Sequence, residues 1–227
     1  MKLSTVLTAS LMFLLPAPGI GQDGKSIAQV PVYKVGEQWH FDVEFKLPNR
    51  NPNSLIARVE RVERANDKEV WILRTTRDGQ RTWLLIDPLT GGLKNEFGFD
   101  ENSANQVGPM RREYLPAAAV AQFPLEVGKS YPVVQKFVAP QGTSGTTDLK
   151  AKVAALEKIK FDSGEIDAFR IELTGSWFSG GGGGKLEDFV WYAPSIKQFV
   201  KREHKDFYSG FIENHRITSV VQFKPAP

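Results

Sequence analysis

The residues that first suggest chemistry are five consecutive glycines followed by a lysine, in the segment SGGGGGK at positions 179–185. A phosphate-binding loop of the Walker type has the pattern G-x-x-x-x-G-K-[ST], in which backbone amides surround the phosphates and the last hydroxyl binds magnesium. Here Ser179 stands where the first glycine is needed, and Leu186 follows Lys185. The flanking residues favour strands, so we interpret the run as a flexible connection between two strands.

The three histidines offer a second possible chemistry; they are His40, His204 and His215. A hairpin that turns at Ser209-Gly210 would place His204 opposite His215 on one face of a sheet, which is the beginning of a metal site. Glu203 adjoins His204 in the same strand and therefore faces the other way. We interpret the two histidines as exposed neighbours; a metal-dependent enzyme or hydrolase assembled around them and Glu213 is the alternative.

Patterns for nucleophilic and carboxylate catalysis are missing. No serine lies in a G-x-S-x-G elbow. The nearest carboxylate pairs are Glu165 with Asp167 and Glu187 with Asp188, and turn flanks of this kind are solvated rather than desolvated. The sequence has no cysteine, which excludes disulfides, thiolate metal ligands and thiol nucleophiles. We predict a protein with no catalytic residues, no metal and no cofactor.

Aromatic side chains on predicted strands are the candidates for ligand binding. In a half-barrel, their inward-facing members would either fill the core or line an apolar cavity. The predicted ligand-binding residues are Trp71, Trp83, Trp177, Trp191 and Tyr192. The expected partner is a lipid or another hydrophobic ligand, or an envelope protein.

The N-terminus predicts export. Residues 1–21 combine one lysine, an apolar run from Leu3 to Leu15 and a small-residue cleavage region, which is the layout of a secretory signal peptide. The apolar run is shorter than the ~20 residues that a membrane-spanning helix needs. Cleavage before Gln22 is expected, and cleavage after Ala28 is the second choice. Because no cysteine is present for lipid attachment, we predict a periplasmic or secreted protein that is not a lipoprotein.

Charge gives no indication of nucleic-acid binding. The formal net charge is +3, and the basic residues are interleaved with acidic ones, as in RVERVERANDKE. Nucleic-acid binders gather their basic residues on one face. After the signal peptide no apolar stretch is long enough to span a membrane as a helix.

Alternation of apolar and polar residues predicts strands from Trp39 onward. Residues 36–99 read as about five antiparallel strands, with a hairpin turn at Asp78-Gly79. A long C-terminal hairpin is predicted around Ser209-Gly210. The segment LKAKVAALEKI, at 149–159, fits either a helix or a strand, and we favour a strand.

Three landmarks recur in order in the two halves of the chain and suggest an internal repeat. The first is VGEQWHFDVEF against VGKSYPVVQKF; the others are KEVWILRTT against DAFRIELTG and WLLIDPLTGGLKNE against FVWYAPSIKQFVKRE. The predicted fold is all-β, with two similar antiparallel modules forming a curved sheet, a half-barrel or a sandwich. The predicted divisions are a signal peptide at 1–21, an N-terminal segment at 22–34, a first module at 35–99, a connection at 100–122 and a second module at 123–227 with the glycine loop at 179–185.

The segments GEIDAFRIELTGSW and VWYAPSIKQFVKRE resemble a family of uncharacterised exported bacterial β-rich proteins, described as TapB-like. The resemblance covers about residues 120–205 and includes FPLEVGKSY; the long glycine run departs from it. It implies a secreted antiparallel β fold related to periplasmic half-barrels that bind lipids, and it transfers no catalytic residue. We therefore predict an exported binding protein that is not an enzyme; a structural module that pairs through β-sheet edges is a further alternative.

Overall fold

The alternating sequence folds almost entirely into antiparallel strands. A computed structural model describes residues 26–47, 55–162 and 164–227, so the predicted signal peptide lies outside the described residues. The first seven strands are β1 (Ile27–Ala28), β2 (Gln38–Phe45), β3 (Leu55–Ala65), β4 (Val70–Thr76), β5 (Arg81–Ile86), β6 (Leu93–Phe99) and β7 (Val107–Ala118). The remaining strands are β8 (Leu125–Glu126), β9 (Ser130–Val138), β10 (Ser144–Phe161), β11 (Gly164–Ser179), β12 (Gly182–Ala193), β13 (Gln198–Tyr208) and β14 (Phe211–Lys224). A 3-10 turn lies at Pro194–Ile196.

Twelve of these strands form one closed barrel. Strands β2 to β7 pair in chain order, as do strands β9 to β14. The two groups join where β14 pairs with β2 and where β7 pairs with β9. The second junction is short, because only Glu113, Tyr114 and Leu115 pair with β9. The all-β prediction is confirmed, and the curved sheet that it described closes on itself.

Several local predictions match the strands. Strands β2 to β6 are five antiparallel strands within the predicted stretch 36–99, and the turn at Gly79 has a φ of +84°. The ambiguous segment 149–159 lies inside β10. The segment 100–122, which we interpreted as a connection, contains strand β7. Among the described residues no helix is long and apolar enough to cross a membrane.

The barrel has two different ends. At one, which we call the hairpin end, lie the turns at 77–80, 139–143, 180–181 and 209–210. The other, the covered end, is closed by residues 26–37 and 119–129, which include the small β1–β8 sheet. Ala28 and Leu125 from these segments are buried against core residues of the barrel such as Val153. The apolar core therefore fills the interior near the covered end.

The glycine run forms a hairpin turn and the start of a strand. Gly180 and Gly181 take positive φ values of +61° and +85° in the turn between β11 and β12. The following glycines belong to β12, where Gly184 lies so close to its neighbour that an added Cβ would be 1.8 Å from the Phe207 carbonyl oxygen. Glycine is thus required in the turn for its backbone conformation and at position 184 for space.

Candidate functional site

Charged side chains occupy the interior face of the barrel between the apolar core and the hairpin end. On β13, Arg202 and His204 lie on the face that also carries Asp206, because side chains alternate along a strand. His204 pairs with Asp188 of β12 on one side and with Arg216 of β14 on the other. The interior charged cluster, as we name it, consists of Arg58, Glu60, Arg74, Asp188, Arg202, His204, Asp206 and Arg216.

Asp188 is the most deeply buried carboxylate of the cluster. The Nε–H group of Arg202 donates hydrogen bonds to Asp188 Oδ1 and Oδ2, at 2.9 and 3.0 Å. Its Nη2 group donates a further hydrogen bond to Oδ2. His204 Nδ1 lies 3.6 Å from the same Oδ2. Burial acts to raise the pKa of Asp188, but Arg202 and His204 outweigh it and lower the pKa to about 2. Asp188 is therefore a carboxylate at every physiological pH.

His204 stands between two carboxylates. Its Nε2 lies 3.1 Å from Asp206 Oδ1, on the side away from Asp188. Burial acts to lower the pKa of His204, but the two carboxylates raise it above the ordinary value of 6.5. Asp206 also accepts a hydrogen bond from Asn214 Nδ2 at 3.2 Å.

Glu60 organises the other side of the cluster. Its Oε1 accepts a hydrogen bond from Arg74 Nε at 2.8 Å and lies 3.3 Å from Arg58 Nε. Burial would raise the pKa of Glu60, but the two guanidinium groups lower it. The Arg58 guanidinium also stacks over the Phe41 ring, 4.7 Å from its centroid. The Glu60 carboxylate thus interacts with both Arg58 and Arg74.

Arg216 is the arginine of the cluster without a carboxylate of its own. Its guanidinium makes no hydrogen bond or ion pair of standard length with any other residue that the structure describes. Burial and the neighbouring Arg202 lower its pKa, partly offset by Asp188 and Asp206. Burial likewise lowers the pKa of Arg58; Glu60 opposes this effect, and Arg74, Arg216 and Arg202 add to it. Both groups are held where positive charge is in excess.

The cluster exposes guanidinium groups to solvent and buries two of its three carboxylates, while the side chain of the third, Asp206, is 24% exposed. The side chains of Asp188 and Glu60 are 1% and 5% exposed, whereas those of Arg202 and Arg74 are 34% and 28% exposed. Four arginines face three carboxylates, and Arg112 faces Glu96 on the adjoining strands β7 and β6, so these interior groups together carry a net charge of +1 with His204 neutral and +2 with it protonated. Guanidinium groups bind carboxylates and phosphates through paired N–H donors. The arrangement can therefore hold an anion.

The predicted ligand-binding aromatic residues are not brought together. Trp71 and Trp83 lie on the outer face of the barrel, with ring centroids 6.2 Å apart. Trp83 is buried there and donates its indole N–H to the Gln106 carbonyl at 2.8 Å. Phe97 and Phe99 stack against this pair. These aromatic residues form a satellite cluster under the loop that precedes β7.

The other three predicted residues occupy separate positions. Trp191 lies on the face of β12 opposite Tyr192 and donates its indole N–H to Glu157 Oε2 at 2.9 Å. Tyr192 is buried in the core, 5.1 Å from the ring of Phe123, and burial raises its pKa. Trp177 lies on the interior face near the hairpin end, where its buried indole nitrogen has no hydrogen-bond partner among the described residues.

The expectation that His204 and His215 share one face is wrong. The turn at Ser209-Gly210 is present, but a bulge between Asp206 and Phe207 shifts the register by one residue. His204 consequently pairs with Arg216, and His215 pairs with Lys205. A one-residue shift moves every side chain to the opposite face of a strand. Within residues 26–47, 55–162 and 164–227 no group of three metal-ligating side chains is close enough to hold a metal ion.

The interior charged cluster was missed from the sequence, although a signal for it exists. In the stretch KREHKD of β13, both faces of the strand carry charged residues. A strand with one face in an apolar core alternates polar with apolar residues. Charge on both faces therefore indicates an interior that is not wholly apolar, and RVER in β3 carries the same signal at Arg58 and Glu60.

Comparison with known proteins identifies the fold. No family profile matches this chain, and no curated protein matches it. A crystal structure described as an exported protein with a YmcC-like fold, from Bacteroides fragilis, has a TM-score of 0.55 at 13% identity over 87% of this chain and 99% of its own. A structure described as a lipoprotein, from Parabacteroides distasonis, has a TM-score of 0.52 at 11% identity over 88% of this chain and 100% of its own. The YmcC protein of Escherichia coli, described as a hypothetical lipoprotein, scores 0.44 at 12% identity over 85% of each chain.

These comparisons define the class of protein by its architecture. The first two matches cover nearly the whole length of both chains, so the twelve-stranded barrel is a YmcC-like fold. At these identities the likeness shows the fold alone.

Proposed function

We propose that this chain is an exported binding protein, not an enzyme, and that it holds an anionic group of its ligand in the interior charged cluster. The observation that carries the proposal is the difference in exposure within the cluster. Asp188 and Glu60 are buried below guanidinium groups that solvent reaches. A ligand carrying a carboxylate or a phosphate would supply the counter-charge that Arg216 lacks.

Export is supported by the predicted signal peptide, by the TapB-like resemblance of the second half and by two matches described as an exported protein and a lipoprotein. The location that we propose is therefore the periplasm or the outside of the cell. The apolar part of the expected hydrophobic ligand has a counterpart in the aromatic residues near the hairpin end, of which Trp177 is one.

The alternative of β-edge pairing would use the seam between β7 and β9, where the ladder has three residue pairs. Pro116 directly follows that ladder on β7 and Pro132 lies four residues from it on β9, and neither has an N–H group to donate to an added strand. The anion-binding function is therefore the better supported of the two.

A titration with inorganic phosphate tests the proposal. Arginine Nε–H signals in nitrogen-15 NMR spectra would be followed at low ionic strength, where screening is weak. We expect saturable shifts for Arg58, Arg202 and Arg216, and at least fivefold weaker binding in Arg216→Gln.

Arg61→Gln is the matched control, because Arg61 lies on the outer face of β3 and pairs with Glu63. Equal phosphate affinity in the two variants, or a wild-type protein whose interior arginine signals do not shift, would overturn the proposal.

A further inference from the structure

The exposed aromatic side chains of the barrel are gathered at one place. Three aromatic residues are exposed in the described part of the chain: Phe178 at 59%, Tyr208 at 48% and Phe211 at 78%. Phe178 lies at the tip of the β11–β12 hairpin, and Tyr208 pairs with Phe211 at the tip of the β13–β14 hairpin. These hairpins are neighbours, because β12 pairs with β13. We call the three residues the aromatic tips.

The aromatic tips are flanked by further apolar residues and by one free lysine side chain. Ile212 follows Phe211 and is 48% exposed, and Leu55 at the start of β3 is 52% exposed. Lys185 is exposed next to the glycines of β12, and Glu213 is the exposed acidic residue beside Ile212. Protruding aromatic side chains are suited to a membrane interface, where an amphipathic ring such as that of Tyr208 lies at the level of the lipid headgroups.

The aromatic tips and the interior charged cluster share the same two strands. Asp206 is two residues from Tyr208 on β13, and Arg216 is five residues from Phe211 on β14. At about 3.3 Å per residue, Arg216 lies roughly 16 Å from the tip. Apolar groups of interfacial proteins penetrate about 5–10 Å. Insertion of the tips would bring the arginines towards the level of anionic headgroups.

We propose that the hairpin end docks on an anionic lipid bilayer through the aromatic tips, and that the anionic group held by the interior charged cluster is a lipid headgroup. This inference rests on the proposed anion-binding function and specifies the source of the anion. Aromatic burial supplies attachment, and the net positive charge of the cluster supplies preference for anionic lipid.

Vesicle flotation tests the docking. The probes are vesicles of phosphatidylcholine alone and of phosphatidylcholine mixed with an equal amount of phosphatidylglycerol. We expect wild-type protein to bind the mixed vesicles at least tenfold more tightly than the neutral ones. The double variant Phe178→Ser and Phe211→Ser should lose at least tenfold of this binding.

The control replaces two exposed apolar residues at the covered end, Val32 and Leu89, which are 75% and 79% exposed. The variant Val32→Ser with Leu89→Ser should bind mixed vesicles as wild type does. Unchanged vesicle binding in the Phe178 and Phe211 variant, or equal losses in both double variants, would overturn the docking proposal.

The phosphate titration separates this inference from the proposed function. If wild-type protein binds phosphate at the interior arginines but no vesicles, docking is wrong and the anion-binding function stands. If vesicles bind equally well to Arg216→Gln, and phosphate does not bind the wild type, the interior cluster is not the anion site and both proposals fail.

Discussion

Arg202 of β13 donates hydrogen bonds to both carboxylate oxygens of Asp188 on the paired strand β12. The carboxylate is almost fully buried, and the guanidinium is one-third exposed. The pair therefore presents the Arg202 guanidinium to the interior of the barrel, and the buried Asp188 carboxylate fixes its orientation. Arg216, on the next strand, has no such carboxylate, and we propose that it binds the anionic group of a ligand.

Removal of the Asp188 carboxylate should destabilise the fold. In Asp188→Asn, Arg202 and Arg216 lose the nearest negative charge, and we expect the free energy of unfolding to fall by about 2 kcal/mol. The figure is below that for fully buried ion pairs because solvent screens the exposed part of Arg202. Urea denaturation at neutral pH measures it. The control Glu187→Gln, on the opposite face of β12, should change stability by less than about 0.5 kcal/mol.

Acid should destabilise the protein through the same carboxylate. Arg202 and His204 lower the pKa of folded Asp188 to about 2, against 3.8 for the ordinary group, and this outweighs the effect of burial. A depressed pKa in the folded state means that the stabilisation is present above pH 3.8 and is lost as the pH falls towards 2. This difference in pKa corresponds to about 2 kcal/mol of folding stability. Urea midpoints measured across this window should fall less steeply in Asp188→Asn, and identical slopes would refute the assignment.

The glycine run should tolerate alanine at one position and not at another. In Gly184→Ala, the added Cβ would meet the Phe207 carbonyl oxygen at 1.8 Å, so we expect a loss of about 3 kcal/mol or more. In Gly182→Ala, the nearest atom is Tyr208 Cε2 at 3.5 Å, an ordinary contact. This variant should lose less than about 1 kcal/mol. Thermal unfolding of the two variants makes the comparison. Similar melting temperatures would show that β12 can move away from β13 at Gly184.

Trp83 should act through stability rather than ligand binding. Trp83→Leu removes a buried ring and its hydrogen bond to Gln106, and we expect a loss of about 2–4 kcal/mol in urea denaturation. The phosphate affinity of the folded variant should equal that of wild type. A variant of normal stability with weakened ligand binding would instead support the ligand-binding role predicted for this residue.

The strand plan was predictable because its signals are local. Alternation along QWHFDVEF and the dipeptides Asp78-Gly79 and Ser209-Gly210 act over a few residues, and each appears in the structure as a strand or a turn. The glycine run was likewise recognisable as a connection, since its flanks contradict a phosphate-binding loop. Strand β7 was harder to predict, because residues 107–118 include two prolines and show little alternation of apolar and polar side chains.

Charge on both faces of β13 and β3 could have indicated a polar interior, but the partners within the candidate site were not predictable, because they depend on register and closure. The alternation in β13 showed that Arg202, His204 and Asp206 share a face, and nothing in the sequence showed whether that face was inside. The bulge at Asp206 and Phe207 then decided that His204 meets Arg216 instead of His215. A bulge adds one residue to one strand, and no local sequence pattern here announces it.

By itself, the sequence determined that this protein is an all-β chain without cysteine chemistry, because residue alternation, turn dipeptides and composition act through local geometry. The tertiary structure alone decided which face of each strand is enclosed. Pairing of β14 with β2 joins the last strand to the first of the barrel, and the faces that carry Asp188 and Glu60 both turn inward. Charge on an enclosed face must be neutralised by neighbours or by a ligand, and that requirement exists only once the barrel has closed.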